Sequence, residues 1–178
     1  MEQSAPFETI TKLEAAERQL CVAIRMFFER RDIIAVHTLA AAAQGVLRDL
    51  GRRRGFVSIF EEGAARIIPE KRDEFVRLFR DAQNFFKHAH KDPDAKLEFY
   101  ADATKFYLMD AARLLVSMTG RHNAETAALT GFFVCKYPNI FNFDDIPDLQ
   151  RVKELAAKIN ADDFETILFC IDRLKLSV

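Results

Sequence analysis

Apolar residues recur at helical spacing along most of the chain, and this periodicity limits the fold more than any other feature. In the first periodic segment, at about residues 11–30, one stripe consists of Leu13, Ala16, Leu20, Ile24, Phe27 and Phe28. No stretch shows the sustained alternation, bounded by turn residues, that is typical of strands. Glycine and proline are few, with 6 and 5 residues, and most lie between the periodic segments. The pattern therefore predicts an all-α protein.

Helix boundaries are indicated by capping residues and prolines. The second helix is expected to begin after Asp32 as its N-cap and to end at Gly51 as its C-cap, and Asp162 is the expected N-cap of the last. Long helices with short connections favour an up-and-down bundle of about five to seven helices. The expected segments are about residues 11–30, 33–50, 69–91, 96–119, 124–136, 147–159 and 163–174, with a short helix or turn within 56–68 and a loop at 137–145.

Length and composition suit one domain. The chain has 178 residues, 49% hydrophobic and 30% charged. We expect a single helical domain over residues 1–178, with a core bundle at about 11–120 and additional C-terminal helices at about 121–178. A formal net charge of -1 shows no global basic excess of the kind that draws a protein to nucleic acid or to anionic membranes.

Cysteine usage and the N-terminal residues predict a cytoplasmic location. The chain has three cysteines, Cys21, Cys135 and Cys170, which are far apart in sequence and form no CxxC pair. Each lies among apolar residues, so we expect reduced thiols in the core. Residues 1–6 lack the basic and apolar regions of a secretion signal. No apolar run approaches the roughly 20 residues of a membrane span, so no membrane association is expected.

One face of the third long helix is polar. If the helix continues through His88, then Arg77, Asp81, Asn84 and His88 fall together on that face. Gln83 flanks the apolar stripe on its other side. A solvated helix face of ordinary polar residues is the simplest interpretation, and a surface that binds a ligand or a partner chain is the functional one.

His88 also heads the dense polar run Lys87-His88-Ala89-His90-Lys91-Asp92-Pro93-Asp94. Cations at a helix end and an Asp-Pro-Asp turn account for it structurally. Acid–base chemistry is one functional interpretation, because histidine titrates near neutral pH. Metal ligation by His88, His90, Asp92 and Asp94 is another, although the neighbouring lysines oppose a cation. A continuous helix would also point His88 and His90 about 200° apart.

Two further polar features have open interpretations. His37 lies on the flank of the second helix, either as a hydrogen-bonded histidine at the core edge or in a polar seam facing the third helix. The only basic run comprises Arg48, Arg52, Arg53 and Arg54, near the end of the second helix. It suits dipole compensation and solubility, or else phosphate binding, because guanidinium groups match phosphate geometry.

A resemblance to a known family begins at the third helix. Its sequence Gln83-Asn84-Phe85-Phe86-Lys87-His88 resembles the Arg-Asn-x-x-x-His signature of HEPN domains. Those domains are small helical bundles, often dimeric, and many are metal-independent ribonucleases of defence and toxin–antitoxin systems. The resemblance implies that His88 is the acid–base residue, that Asn84 positions it, and that the ligand is RNA or a nucleotide. It also implies a homodimer and no cofactor.

The remaining site residues follow from the same resemblance. Gln83 occupies the position of the signature arginine and completes the expected catalytic set with His88 and Asn84. Because Gln83 carries no charge, Arg77 or Arg80 is the candidate cation for the phosphate. Lys87 and His37 complete the expected substrate-binding set, since the alanine-rich second helix with His37 resembles an early helix of many such domains.

Two other classes of function stay open. HEPN domains that lose the signature often serve as binding or assembly modules, so a noncatalytic bundle that binds a protein partner is the first alternative. A helical protein that binds metal through histidine and aspartate is the second. The chain contains no serine hydrolase elbow, P-loop or dinucleotide fingerprint, and we expect neither nucleotide hydrolysis of the P-loop type nor redox catalysis.

Overall fold

The computed structural model describes residues 7–90, 92–137 and 160–175, and these residues form α-helices without any strand. The predicted all-α bundle is confirmed. The helix predicted at 147–159 lies outside the described residues, as does most of the loop predicted at 137–145. The seven described helices are α1 (Lys12–Phe28), α2 (Ile33–Arg52), α3 (Ile59–Arg66), α4 (Pro69–Phe85), α5 (Ala103–Thr119), α6 (Ala124–Lys136) and α7 (Phe164–Lys175).

Side-chain caps account for where the first two helices begin. Thr11 and Glu14 form a reciprocal capping box on α1, with Glu14 N donating to Thr11 Oγ1 at 3.2 Å and Thr11 N to Glu14 Oε2 at 2.8 Å. Asp32 Oδ1 accepts from the backbone N–H groups of Ile34 and Ala35 at 3.0 and 3.1 Å. The predicted Asp32 cap is therefore confirmed.

The hydrophobic core joins α1, α2, α5, α6 and α7. The stripe predicted on the first helix is buried there, apart from Leu13, which is partly buried. Alanines make up much of the buried face of α2, which lets its neighbours α1 and α5 approach closely. The later helices contribute Leu129, Phe132, Phe133, Ile167 and Ile171 to the same core.

Among the described helices, α2 alone is long and apolar enough to cross a membrane by length and composition. Its Val36, Ala40, Ala43 and Leu47 are fully buried between neighbouring helices. Core helices of bundles and membrane spans both meet this criterion.

Gly51 is not the C-cap of the second helix, as the sequence had suggested. It lies within α2, and the cap is Arg53. A Cβ at Gly51 would lie 3.3 Å from Leu114 Cδ2 and 3.5 Å from Phe56 Cβ, so the glycine permits close packing of α2 on α5. The chain turns away at Gly55, whose φ of 82° is in the left-handed region.

The fifth helix begins at Ala103, seven residues after the predicted start at Lys96. Residues 95–100 are not helical. The Phe99 ring packs instead on His37 and Phe86, with centroids 5.0 and 5.1 Å away. Helical spacing predicted a continuous helix here because periodicity carries no information about these tertiary contacts.

Two smaller predictions also need correction. The last helix is capped by Asp163, whose Oδ1 accepts from Thr166 N at 3.1 Å, whereas Asp162 pairs with Lys136. All three cysteines are free thiols, but Cys170 is exposed rather than in the core. Burial raises the pKa of Cys21 to about 12, with Glu125 adding to the rise, so this thiol is a poor nucleophile.

A buried carboxylate on α5 holds α2, α3 and α5 together. Asp110 is completely buried. Its Oδ2 accepts hydrogen bonds from Ser58 Oγ at 2.6 Å and from Gln44 Nε2 at 2.9 Å. Its Oδ1 accepts from Ile59 N at 3.0 Å and from Arg113 Nη2 at 3.2 Å. Four donors from three segments thus compensate a charge that water does not reach.

A second buried carboxylate joins a different set of helices. Glu125, at the start of α6, is 1% exposed, and its Oε1 accepts from Arg25 Nε at 3.0 Å and from Lys175. Burial alone would raise the pKa of Glu125, but the hydrogen bonds from Lys175 and Arg25 outweigh it and lower that pKa. This group of charges connects α1, α6 and α7.

Replacing Asp110 tests the importance of the first carboxylate. Asp110→Asn should lower the free energy of unfolding by about 2–4 kcal/mol, because the amide places a donor against donors in the interior. Urea denaturation followed by circular dichroism measures the loss. Asp49→Asn is the matched control, since Asp49 is exposed and, among the described residues, its carboxylate pairs with Arg48 alone. A loss at Asp110 no larger than that of the control would contradict the role assigned to it.

Gly131 lies inside α6 without any packing reason to be glycine, since an added Cβ would meet no atom within 4 Å. Gly131→Ala should therefore raise the free energy of unfolding by about 0.5–1 kcal/mol through helix propensity. Gly51→Ala, where Leu114 lies in the way, should show no comparable gain. Equal gains at both positions in the same denaturation assay would refute this comparison.

Candidate functional site

An open groove of about 640 Å³ lies beside the C-terminal end of α4. Asn84, in the last turn of α4, lines it together with His88 and His90 from the turn that follows. The opposite side comes from the extended segment before α5, including Lys96. The full lining is Asp81, Asn84, Phe85, His88, His90, Asp92, Ala95, Lys96 and Leu97.

The third long helix is shorter than predicted, and this changes the position of both histidines. α4 ends at Phe85, before His88. The Asn84 carbonyl accepts hydrogen bonds from Lys87 N at 3.2 Å and from His88 N at 3.1 Å, so a single turn keeps His88 next to Asn84. The His88 and His90 rings lie 5.8 Å apart, edge to face, rather than about 200° apart around a helix.

The two imidazole rings are open to a ligand in the groove. His88 and His90 are exposed, and within the described residues neither ring nitrogen makes a hydrogen bond. The amide of Asn84 and the ammonium of Lys96 line the same groove and can donate hydrogen bonds to an anionic ligand. Among the described residues, no group of three or more His, Cys, Asp or Glu side chains is placed to hold a metal ion.

Gln83 and Arg80 lie on a different flank of α4 from Asn84, and His88 follows Asn84 in the segment after the helix. Gln83 Nε2 donates to the backbone carbonyl of Ala41 on α2, at 3.4 Å. Gln83 and Arg80 both line a small cleft of about 80 Å³ between α2, α3 and α4. The helix therefore divides the signature-like residues, with Gln83 on the flank that helical geometry predicts and outside the histidine groove.

Arg77 and Lys87 line neither of these depressions. Arg77 is exposed, and its Nε donates to the backbone carbonyl of Asp73 in the preceding turn, at 3.4 Å. Lys87 is exposed in the turn after α4, near enough to His37 to affect its pKa. Both side chains are free to reach a ligand that extends beyond the groove.

His37 is a core residue rather than part of a polar seam. It is 1% exposed, and its Nδ1 lies 3.1 Å from Thr104 Oγ1. Aromatic rings surround it, since Phe99 and Tyr107 lie 5.0 and 4.9 Å away between centroids and Phe86 lies 5.7 Å away. Burial, and secondarily the charge of Lys87, lower the pKa of His37 to about 4. Its Nε2 has no hydrogen-bond partner among the described residues, and the ring does not line the groove.

Sequence reasoning missed the residues that accompany Arg80 in the small cleft. Arg48, a member of the basic run, lines the cleft together with Gln44. Arg52 of the same run does not line the cleft and pairs with Glu61. Tyr107, on α5, is also at the cleft. The spacing of Gln44 and Arg48, four residues apart beside the apolar stripe of α2, was the available signal.

Comparison of the chain with protein-family models, with curated proteins and with solved structures finds no match. The geometry of the groove and of the small cleft is therefore the basis for interpreting the site.

The neutral state of His37 should make folding sensitive to acid. The pKa of His37 is about 4 in the folded chain and ordinarily 6.5. Between these two values, His37 binds a proton in the unfolded chain but stays neutral in the folded one. Between pH 7 and pH 5, this difference should remove about 2 kcal/mol of stability.

Urea denaturation at the two pH values measures this loss, with His37→Phe as the comparison. The phenylalanine fills an aromatic environment and removes the titration of His37, while the other three histidines are the same in both proteins. The original chain should lose more stability than the variant. Equal losses would show that His37 is not the acid-sensitive group.

Proposed function

We propose that this chain is a HEPN-like, metal-independent ribonuclease of the defence or toxin–antitoxin type, with His88 and His90 as its acid–base pair. One observation carries the proposal, namely that the two exposed imidazoles lie 5.8 Å apart in one groove beside Asn84. Two imidazoles at such a distance can work on opposite sides of one phosphodiester. The similarity of residues 83–88 to the HEPN signature supports RNA as the substrate.

The reaction needs only groups that the groove contains. One imidazole removes the proton of the ribose 2′-hydroxyl, and the 2′-oxygen forms a bond to phosphorus. The bond between phosphorus and the 5′-oxygen breaks, and the second imidazole, in its protonated form, supplies a proton to that oxygen. The products are a 2′,3′-cyclic phosphate and a 5′-hydroxyl. Positioned acid–base groups of this kind contribute roughly 10²–10⁴-fold each.

Asn84 and Lys96 have supporting roles in this proposal. The Asn84 amide can donate to a non-bridging phosphate oxygen and so orient the phosphate toward His88. The ammonium of Lys96 balances the charge that develops on phosphorus oxygens in the transition state. Arg77 and Lys87 would contact phosphates on either side of the scissile one.

Charge in the groove limits the length of RNA that it would hold. Asp81 and Asp92 line it together with a single lysine, Lys96, so apart from the histidines its fixed charge is net negative. Affinity for nucleic acid that depends on many phosphates requires many cations. We therefore infer that the substrate is a short single-stranded segment with one or two phosphates engaged, and that a homodimer of the HEPN kind supplies further contacts.

RNA cleavage by the full chain in excess EDTA tests this function. Labelled mixed-sequence RNA should be cut, and His88→Ala and His90→Ala should each reduce the rate by at least about 100-fold. His122→Ala is the matched control, because His122 is exposed in the turn before α6, outside the groove. Cleavage that survives His88→Ala, or that disappears in EDTA, would overturn the proposal.

The interaction module remains a second candidate for one specific reason. Gln83 is directed to α2, so no arginine among the described residues lines the histidine groove. If neither the original chain nor His88→Ala cleaves or binds RNA, then the groove would serve a protein partner. Asn84→Trp should then abolish capture of that partner, while His88→Ala should leave it intact.

A further inference from the structure

The small cleft on the other flank of α4 combines two arginines with an apolar interior. Arg48 enters from α2 and Arg80 from α4, and the wall between them includes Phe60 and Phe79. Tyr107, which is 3% exposed, lies at the base of the cleft on α5, and its hydroxyl donates to the Phe79 carbonyl. A volume of about 80 Å³ holds several waters or one tetrahedral anion.

Two cationic side chains act on the interior of the cleft. Burial raises the pKa of Tyr107 to about 12, and the charges of both Arg48 and Arg80 oppose that rise, so both guanidinium groups act on the base of the cleft. Arg80 makes no ion pair or hydrogen bond within the described residues. A guanidinium group without a partner beside low-dielectric aromatic walls attracts an anion more strongly than one in open water.

The carboxylates nearby that the structure describes leave Arg80 without a counter-ion, and the one that pairs with Arg48 is solvated. Glu61 lines the cleft, but its carboxylate pairs with Arg52 on the outer side. Asp49 pairs with Arg48 at 2.9 Å, and its side chain is 64% exposed, so this pair is solvated and easily exchanged. Asp110 is deeper, and its oxygens already accept four hydrogen bonds.

We propose that this cleft binds a phosphate monoester, such as the terminal phosphate of a nucleotide or of an RNA strand, between Arg48 and Arg80. Guanidinium groups bind phosphate oxygens in a bidentate fashion, and two of them compensate a dianion. A monoester fits better than a diester because a cleft of this volume admits the end of a molecule, whereas a diester must pass through it. The Gln83 amide, which makes only a long hydrogen bond to Ala41, is the third donor.

This cleft is separate from the histidine groove. The two share no lining residue. Neither His88 nor His90 takes part in the proposed phosphate contacts, so the inference holds whether or not the groove cleaves RNA.

Titration calorimetry with ligands that the groove cannot cleave tests the inference. The probes are inorganic phosphate, thymidine 5′-monophosphate and the dinucleotide TpT, all of which lack a 2′-hydroxyl. Phosphate and the monophosphate should bind the full chain, and Arg48→Gln and Arg80→Gln should each weaken that binding by about tenfold or more. TpT should bind at least about tenfold more weakly than the monophosphate.

Arg53→Gln is the matched control, because this substitution removes the same charge from a residue that is exposed at the end of α2, outside the cleft. It should change the affinity by less than about twofold. The inference is overturned by no binding at about 10 mM phosphate, or by equal losses at Arg53 and Arg80. TpT binding as tightly as the monophosphate would likewise reject a monoester site. Unchanged circular dichroism spectra exclude unfolding as the cause of any loss.

Discussion

A carboxylate without access to water must be surrounded by donors, and Asp110 draws its donors from three segments of the chain. Gln44 belongs to α2, Ser58 and Ile59 begin α3, and Arg113 lies one turn further along α5. This shared charge fixes α3 against the α2–α5 pair. α3 in turn contacts α4, where Arg72 Nε donates to the Ala64 carbonyl at 3.0 Å. These contacts, from Asp110 through α3 to α4, help to position the histidine groove and the small cleft.

Polar contacts inside this bundle have two different roles. Asp110 and Glu125 are buried among donors and each joins helices of the core, α2, α3 and α5 at Asp110 and α1, α6 and α7 at Glu125. His88, His90 and Arg80 are exposed and make no hydrogen bond within the described residues. The first group stabilises the fold because its hydrogen bonds are satisfied internally, and the second is available to a ligand because its hydrogen bonds are not.

Local signals in the sequence were sufficient for the parts of the fold that local physics determines. Helical periodicity and the Asp32 cap predicted α1 and α2 closely, because burial of one stripe and satisfaction of free N–H groups decide both. The end of α4 and the start of α5 were misplaced, because the ring contacts among Phe86, Phe99 and His37 determine them. Asn84 and His88 were predicted to be neighbours on one continuous helix. They are neighbours, but a turn after the end of α4 brings them together. The small cleft was missed because Arg48 and Arg80 are far apart in the sequence and line the same cleft only in the folded chain.

The loose attachment of α4 has a consequence for how this protein changes over generations. Among the α4 side chains that the structure describes, only Ala82 is buried, and neither end of the helix has a side-chain cap. Substitutions of the exposed side chains described on this helix should therefore disturb the hydrophobic core, which α1, α2, α5, α6 and α7 form, less than substitutions within those helices. The residues of α4 that line the groove and the small cleft, such as Asn84 and Arg80, can therefore be exchanged with little cost to the hydrophobic core. The bundle would keep its fold while the ligands bound along α4 change.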